Sequence, residues 1–279
     1  TEISTLLADA GFKRLDAAMA DYRASNARGE NIIGNALKNY IQGSAGLDTI
    51  DAGAGNDRVF GYAGNDILYG KSGADTLYGD QGDDTLDGGA GNDQLYGGSG
   101  ADTYLFGRGS GQDTIDNSDG DALGVNADIV LVKANFADVT LKRIGASLSI
   151  AIDGTEDVLQ LHLYFYLDGS TSRTVEQIRF EDGTVLDYAT VKAITLSGTP
   201  DHDTLNGYAA ADVMSGGEGN DTLYGSDGDD TIDGGNGDDV VSGDNGNDQL
   251  KGSTGNDTLW GGNGGDTLEG GAGNDSVTG

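Results

Sequence analysis

The residues best able to do chemistry in this chain are aspartates, and they recur every nine residues. A first run comprises Asp48, Asp57, Asp66, Asp75, Asp84, Asp93 and Asp102. A second, about ninety residues further on, comprises Asp203, Asp212, Asp221, Asp230, Asp239, Asp248, Asp257, Asp266 and Asp275. Each is the sixth residue of a unit of the form G-x-x-G-x-D-x-(apolar)-x, which recurs sixteen times. Two places after the Asp stands Ile50, Val59, Leu68, Leu77, Leu86, Leu95 or Tyr104 in the first run. In the second it is Leu205, Met214, Leu223, Ile232, Val241, Leu250, Leu259, Leu268 or Val277. The fourth position is glycine, as at Gly55, Gly64, Gly73, Gly82 and Gly91 and at Gly219, Gly228, Gly237, Gly246, Gly255, Gly264 and Gly273. Only Asp201 and Ala210 replace it.

Each unit has two physical halves. Glycine at positions one and four permits positive φ, so the backbone can turn tightly and point carbonyls inward. Positions seven to nine read as a short strand whose middle side chain enters a core. The resulting donor set is all oxygen, on a flexible frame, which suits Ca²⁺ better than Mg²⁺ with its rigid octahedron and retained waters. Zinc or copper would want His or Cys, and the chain has no Cys and only His162 and His202. The helix-loop-helix calcium pattern D-x-[DN]-x-[DN]-G-x5-E does not occur in the arrays. Asp113, Asp116, Asp119 and Asp121, just past the first run, read either as a further calcium site or as a solvated acidic turn.

Around these runs the pattern changes. Ile3, Leu6, Leu7, Leu15, Ala18, Met19 and Tyr22 fall at three- and four-residue spacings ahead of Gly29, which predicts a helix over about residues 1–27. Such a helix would cap the open end of the first array; a partner-binding or membrane-surface helix is the alternative, and its few cations disfavour the membrane. Residues 34–42 form a degenerate unit, with Leu37 and Asn39 where Gly and Asp belong, expected to continue the fold without an ion. From Phe106 the nine-residue period gives way to strand-like alternation at Val139 and Leu141, at Leu148, Ile150 and Ile152, and from Leu159 to Leu167. The expected organisation is a helical cap (1–30), a first array (31–105), a β-rich insert (106–197) and a second array (198–279).

Units such as Gly88-Gly89-Ala90-Gly91-Asn92-Asp93 resemble the calcium-binding nonapeptide of the RTX proteins, exoproteins of Gram-negative bacteria. The strings Tyr104-Leu105-Phe106-Gly107-Arg108-Gly109-Ser110-Gly111-Gln112-Asp113 and Ile178-Arg179-Phe180-Glu181-Asp182-Gly183 resemble the haemolysin-type calcium-binding-related domain found between such arrays. The resemblance implies an all-β fold: two parallel β-roll blocks flanking the insert, two units making each flattened coil of eighteen residues. It implies that the sixth-position Asp ligates by its side chain and positions one to four by carbonyls. It also implies type I export as an unfolded chain, and folding outside the cell where calcium is abundant. If coils stack at the ~4.8 Å spacing of paired strands, each Asp lies beside the one eighteen residues away. Two such carboxylates repel by about 1 kcal/mol in water and ~3.5 kcal/mol at an effective dielectric of 20. A divalent ion between each pair reverses the sign, and the stacked pairs allow up to about twelve ions. Sites using the turns at Asp201 and Ala210 are expected to be weak or empty, and the ion-free chain largely disordered.

A formal charge of −32 argues against nucleic acid and anionic membrane surfaces as partners and for cations. No apolar run approaches a membrane span, and the N-terminus has no signal-peptide pattern. A start at Thr1 and a stop inside a repeat at Gly279 read as a processed product or a piece of something larger. Neither a H-E-x-x-H zinc motif nor a G-x-S-x-G elbow occurs. His162 reads as a surface-facing strand residue and His202 as incidental. The expectation is a non-enzymatic, calcium-binding module of a secreted or cell-surface protein, a spacer or scaffold in an adhesin, surface layer or filament. Self-association or a surface partner is possible on this reading. The alternative is the accessory repeat region of a secreted hydrolase, epimerase or cytotoxin whose catalytic domain lies elsewhere.

Overall fold

The computed structural model describes residues 12–24, 28–117, 126–166 and 175–279. The chain separates into two compact parts, Thr1–Tyr188 and Ala189–Gly279. Both are parallel β-solenoids, and the apolar eighth position of the repeat explains why. Strands such as Thr49–Gly53, Ile67–Ser72 and Thr85–Ala90 pair in parallel with an eighteen-residue register, so that Ile50, Leu68 and Leu86 lie over one another. On the opposite wall Val59, Leu77 and Leu95 stack in the same way. All six are essentially inaccessible to solvent. Alternation then turns the seventh and ninth residues outward, which is the period-two logic of a strand.

In the first part the two walls are sheets of nine described strands each. The residues beyond Phe106, expected as a separate insert, add strands to both walls. Ile129–Lys133 pairs in parallel with Thr103–Gly107, and Gln177–Phe180 follows it. Gln112–Ile115 pairs with Gln94–Ser99, and Val158–Leu161 follows that. Their inward residues Val130, Ile178, Ile115 and Leu161 continue the buried rows, so a repeat that has lost its nine-residue period still satisfies the same core. Antiparallel pairing then ends both walls: Val185–Asp187 against one, and the hairpin Val139–Ile144/Ser147–Ile152 against the other. The run Leu159–Leu167 is shorter than expected. The strand stops at Leu161, and His162 to Phe165 turn, placing Tyr164 and Phe165 in the core with their rings 4.9 Å apart.

The amino-terminal helix is corrected where the chain is described. Phe12–Arg14 and Asp21–Arg23 are strands, paired in parallel with Asn31–Asn35 and Tyr40–Gln42; Ile3, Leu6 and Leu7 lie outside the described residues. The first coil presents two open edges of N–H and C=O groups, and pairing with them outcompetes a short helix whose own nucleation is costly. Among the described residues the single α-helix is Tyr188–Thr195, which buries Val191.

The second part has walls of five and four parallel strands. Met214, Ile232, Leu250, Leu223, Val241 and Leu259 are buried; Val277, in the last coil, is 47% exposed.

Candidate metal centres

The solenoid register carries the sixth-position aspartates into columns along its two turn faces. In the first part they run Asp48, Asp66, Asp84, Asp102 and Asp57, Asp75, Asp93. In the second they run Asp203, Asp221, Asp239, Asp257, Asp275 and Asp212, Asp230, Asp248, Asp266. The link is the same at each step: the backbone N–H of one Asp donates to Oδ1 of the Asp one coil on, at 2.7 Å from Asp48 to Asp66 and 2.8 Å from Asp221 to Asp239. This fixes each carboxylate after the first of a column with one oxygen satisfied.

The second oxygen is the chemically informative one. Oδ2 of Asp57, Asp66, Asp75, Asp84, Asp93, Asp221, Asp230, Asp239, Asp248 and Asp257 is buried and has no hydrogen-bond donor. A buried anionic oxygen without a partner is expensive, so a row of them is a row of unmet demands for positive charge. Each faces the first-position glycine of its own turn, except Asp57, whose unit opens on Ala52. A methyl added at Gly61 would come within 3.0 Å of Asp66 Oδ2 and of the Gly79 carbonyl oxygen one coil on, and Gly70, Gly225 and Gly243 repeat the arrangement. A carboxylate and a carbonyl oxygen thus converge on a space about one small cation wide, the donor chemistry that Ca²⁺ takes at 2.3–2.6 Å. Among the described residues no three His, Cys, Asp or Glu side chains converge on one point, so any ion here must draw on main-chain oxygen.

Turn conformation separates two kinds of unit. In inner turns the second and fourth residues both have positive φ, as at Tyr62 (78°) and Gly64 (127°) or Asp244 (68°) and Gly246 (150°). In the turns that lead three of the columns the second residue has ordinary φ, and its N–H donates to Oδ2. The bonds run from Ser44 to Asp48 (2.6 Å), from Thr199 to Asp203 (2.6 Å) and from Tyr208 to Asp212 (2.5 Å). The hydroxyls of Ser44 and Thr199 add bonds of 3.0 and 2.9 Å. At Asp212 the ammonium of Lys192, from the helix Tyr188–Thr195, lies 2.8 Å from Oδ1 and 4.6 Å from the centre of the Tyr208 ring. Asp201 and Ala210 belong to these leading turns and have ordinary φ, but so does Gly46, so place in the column decides the conformation.

Burial sets the protonation chemistry of the ion-free columns. Loss of solvation pushes Asp66, Asp84 and Asp230 up to about 7 and Asp57, Asp93 and Asp239 up to about 6. The N–H bond to Oδ1 pulls the other way, and neighbouring carboxylates add to the rise.

Two features escaped the sequence, Ala52 and Glu30, while Asn39 stands where the sequence placed it. The unit of Asp57 opens on Ala52, not glycine, and Ala52 is fully buried. Glu30 and Asn39 take the column places one coil before Asp48 and Asp57, their N–H groups donating to those carboxylates. Glu30 is paired with Lys13 and with the Tyr22 hydroxyl (2.5 Å). The eighteen-residue offset could have found both Ala52 and Glu30. Neither histidine joins a column: His162 lies in a turn, and His202 Nδ1 accepts from the Asn220 N–H at 2.7 Å.

The RTX calcium-binding nonapeptide repeat matches residues 33–68, 69–104, 195–223, 215–250 and 242–277, more than half of the chain. The chain belongs to the RTX calcium-binding repeat family. The haemolysin-type calcium binding protein related domain matches residues 148–190. RTX repeats are structural calcium-binding elements, so Ca²⁺ binding is what the family match indicates for this chain. No curated protein matches the chain. Among solved structures, the extracellular lipase LipA from Serratia marcescens is similar over 85% of this chain and 33% of its own, at 17% identity and a TM-score of 0.19. The chain thus spans about a third of that protein's length. Among the described residues no helix is long and apolar enough to cross a membrane.

Proposed function

We propose that this RTX chain is a calcium-triggered folding module and rigid spacer of a secreted or cell-surface protein, without catalytic activity of its own. The observation that carries the reading is the row of buried, donorless Oδ2 atoms facing first-position glycines. The proposed ligands are the sixth-position carboxylates, with the carbonyls of positions one to four, including the fourth-position glycines Gly55 to Gly91 and Gly219 to Gly273. A bound Ca²⁺ supplies the positive charge that cancels repulsion between stacked carboxylates. The chain's own residues do the rest: left-handed second and fourth residues aim the carbonyls, the N–H ladder orients the carboxylates, and the apolar rows close the core behind them. Without the ion the columns oppose folding, which suits a chain exported unfolded and folded where calcium is plentiful.

Far-UV circular dichroism during a calcium titration of the ion-free chain, with magnesium as control, tests this directly. A cooperative gain of β signal with calcium alone is expected. A chain already folded in chelator, or indifferent to calcium, would overturn the reading.

A further inference from the structure

The second column of the first array does not stop where the nonapeptides stop. Twenty residues after Asp93, Asp113 takes the next place: the Asp93 N–H donates to its Oδ1 at 3.0 Å, and its side chain is buried. The turn ahead of it repeats the inner-turn geometry, with positive φ at Gly109 (87°) and Gly111 (92°). Gly91 and Gly111 form a parallel bridge. The Thr114 N–H reaches the Asp93 carbonyl at 2.8 Å, as the Gln94 N–H reaches that of Asp75 at 2.9 Å. Ile115 fills the buried apolar place two residues on. Residues 108–116 are therefore a concealed repeat, hidden by two extra residues and by Arg108 in the first position.

At the same end of the other column the corresponding space is filled by the protein. The Tyr104 hydroxyl accepts from the Gly97 N–H at 3.0 Å and donates to Asn117 Oδ1 at 2.7 Å, and Asn117 donates to Asp128 Oδ2 at 2.7 Å. A methyl at Gly97 would meet that hydroxyl. Among the described residues no such plug stands beside Asp93, whose Oδ2 is buried, donorless and turned to Gly88. Asp157 engages the N–H groups of Gly109 and Gly111 at 2.9 and 2.8 Å. The Ser110 and Gly111 carbonyls accept from the N–H groups of Gly91 and Val158, so the carbonyls this turn can offer are chiefly those of Arg108 and Gly109.

We propose that Asp93 and Asp113, with main-chain carbonyls of the turns 88–91 and 108–111, form a further calcium site beyond the last recognisable nonapeptide. It rests on the calcium reading above and adds an ion that the repeat pattern does not count. The site ties the first array to the strands that follow it, since Asp113 lies in the strand that pairs with Val158–Leu161.

Native mass spectrometry of the whole chain in calcium, wild type beside Asp113→Asn, tests it. Asparagine keeps the Oδ1 acceptor and removes the charge, so one ion fewer is expected with the other ions retained. An unchanged ion count in a calcium-loaded chain would overturn the site and leave the repeat reading intact. A wild type that takes up no calcium would instead overturn the repeat reading. Should Asp113→Asn fail to fold, Asp113→Glu keeps the charge at a different reach. Its last ion is then expected to need roughly tenfold more calcium, about 1.4 kcal/mol, and an unshifted last ion would again overturn the site.

Discussion

The turn that leads a column and the turn one coil inside it share a sequence plan and differ in what satisfies the carboxylate. At Ser44–Asp48 the second residue lends its N–H and hydroxyl to Oδ2. At Tyr62–Asp66 the second residue is rotated to positive φ, and Oδ2 has no donor. Positive φ at a tyrosine is costly, and such strain persists only when something else requires it. The inner turn accepts this cost to remove its own donor and leave room for a cation, whereas the leading turn, with no repeat aspartate before it in its column, satisfies itself. The difference separates sites that demand an ion from sites that do not, and four perturbations test it.

Acidity should act most broadly, because it neutralises the inner carboxylates together. Their values in the ion-free fold, about 6 to 7, lie above the roughly 3.9 of a free Asp. The fold then binds more protons than the unfolded chain, so its stability is greatest below about pH 4 and is lost as pH rises through 6 to 7. Calcium-free chain should therefore carry more β signal at about pH 5.5 than at 7.5, in dichroism spectra recorded above the pI of about 4.1. Calcium uptake should release protons over the same range. Equal disorder at both pH values would refute the claim that charge on the columns holds the ion-free chain open.

Single inner carboxylates come next. Asp84 is shared by the steps to Asp66 and to Asp102. An ion at a hundredfold its Kd stabilises by about 2.7 kcal/mol, so Asp84→Ala should cost about 5 kcal/mol in calcium. Asp203→Ala, whose Oδ2 is already held by Thr199, should cost under about 1.5 kcal/mol, the worth of ordinary hydrogen bonds. Urea denaturation of both variants in calcium decides it, and equal losses would erase the distinction between leading and inner turns.

Lys192 sharpens the comparison, since it is a cation the chain supplies itself. Removing one partner of a buried pair costs roughly 3–5 kcal/mol, and Asp212 has no solvent-exposed side-chain surface. Lys192→Met should therefore destabilise the second array by about 3 kcal/mol, measured by denaturation at low calcium. Excess calcium should recover part of this loss. A variant as stable as wild type would show that Asp212 needs no counter-charge.

What could be read beforehand follows from what repeats. Leu68, Leu77 and Leu86 announced the rows of the core, and Asp66, Asp75 and Asp84 the columns, because one geometry is imposed on each copy. The ends were obscure for the same reason in reverse. Phe12–Arg14 lies inside a segment with helical spacing at Leu7, Leu15, Ala18 and Tyr22, and it is a strand because an open edge lies beside it. Asp113 was visible as an acidic residue, yet its partner lies twenty residues away rather than eighteen. Lys192 lies on a helix whose pattern says nothing of Asp212.

The smallest expected effect comes from Ala52, which puts a methyl where the neighbouring inner turns have glycine. At Gly61 and Gly70 an added methyl would come within 3.0 Å of the turn's own Asp Oδ2, a contact real side chains do not sustain. At Ala52 the methyl is present, so the room beside Asp57 is expected to be smaller than in the glycine turns. Asp57 Oδ2 stays buried without a donor even so, which makes this the one inner step where demand for charge and room for the ion conflict. Ala52→Gly should relieve that conflict. Glycine also adds backbone freedom to the unfolded chain, worth roughly 0.5–1 kcal/mol against folding. The variant should thus lose slightly in denaturation at low calcium while needing about threefold less calcium to fill this step, followed by calorimetric titration. If its calcium affinity falls together with its stability, the methyl is not an obstacle, and the first-position glycines serve the turn rather than the ion.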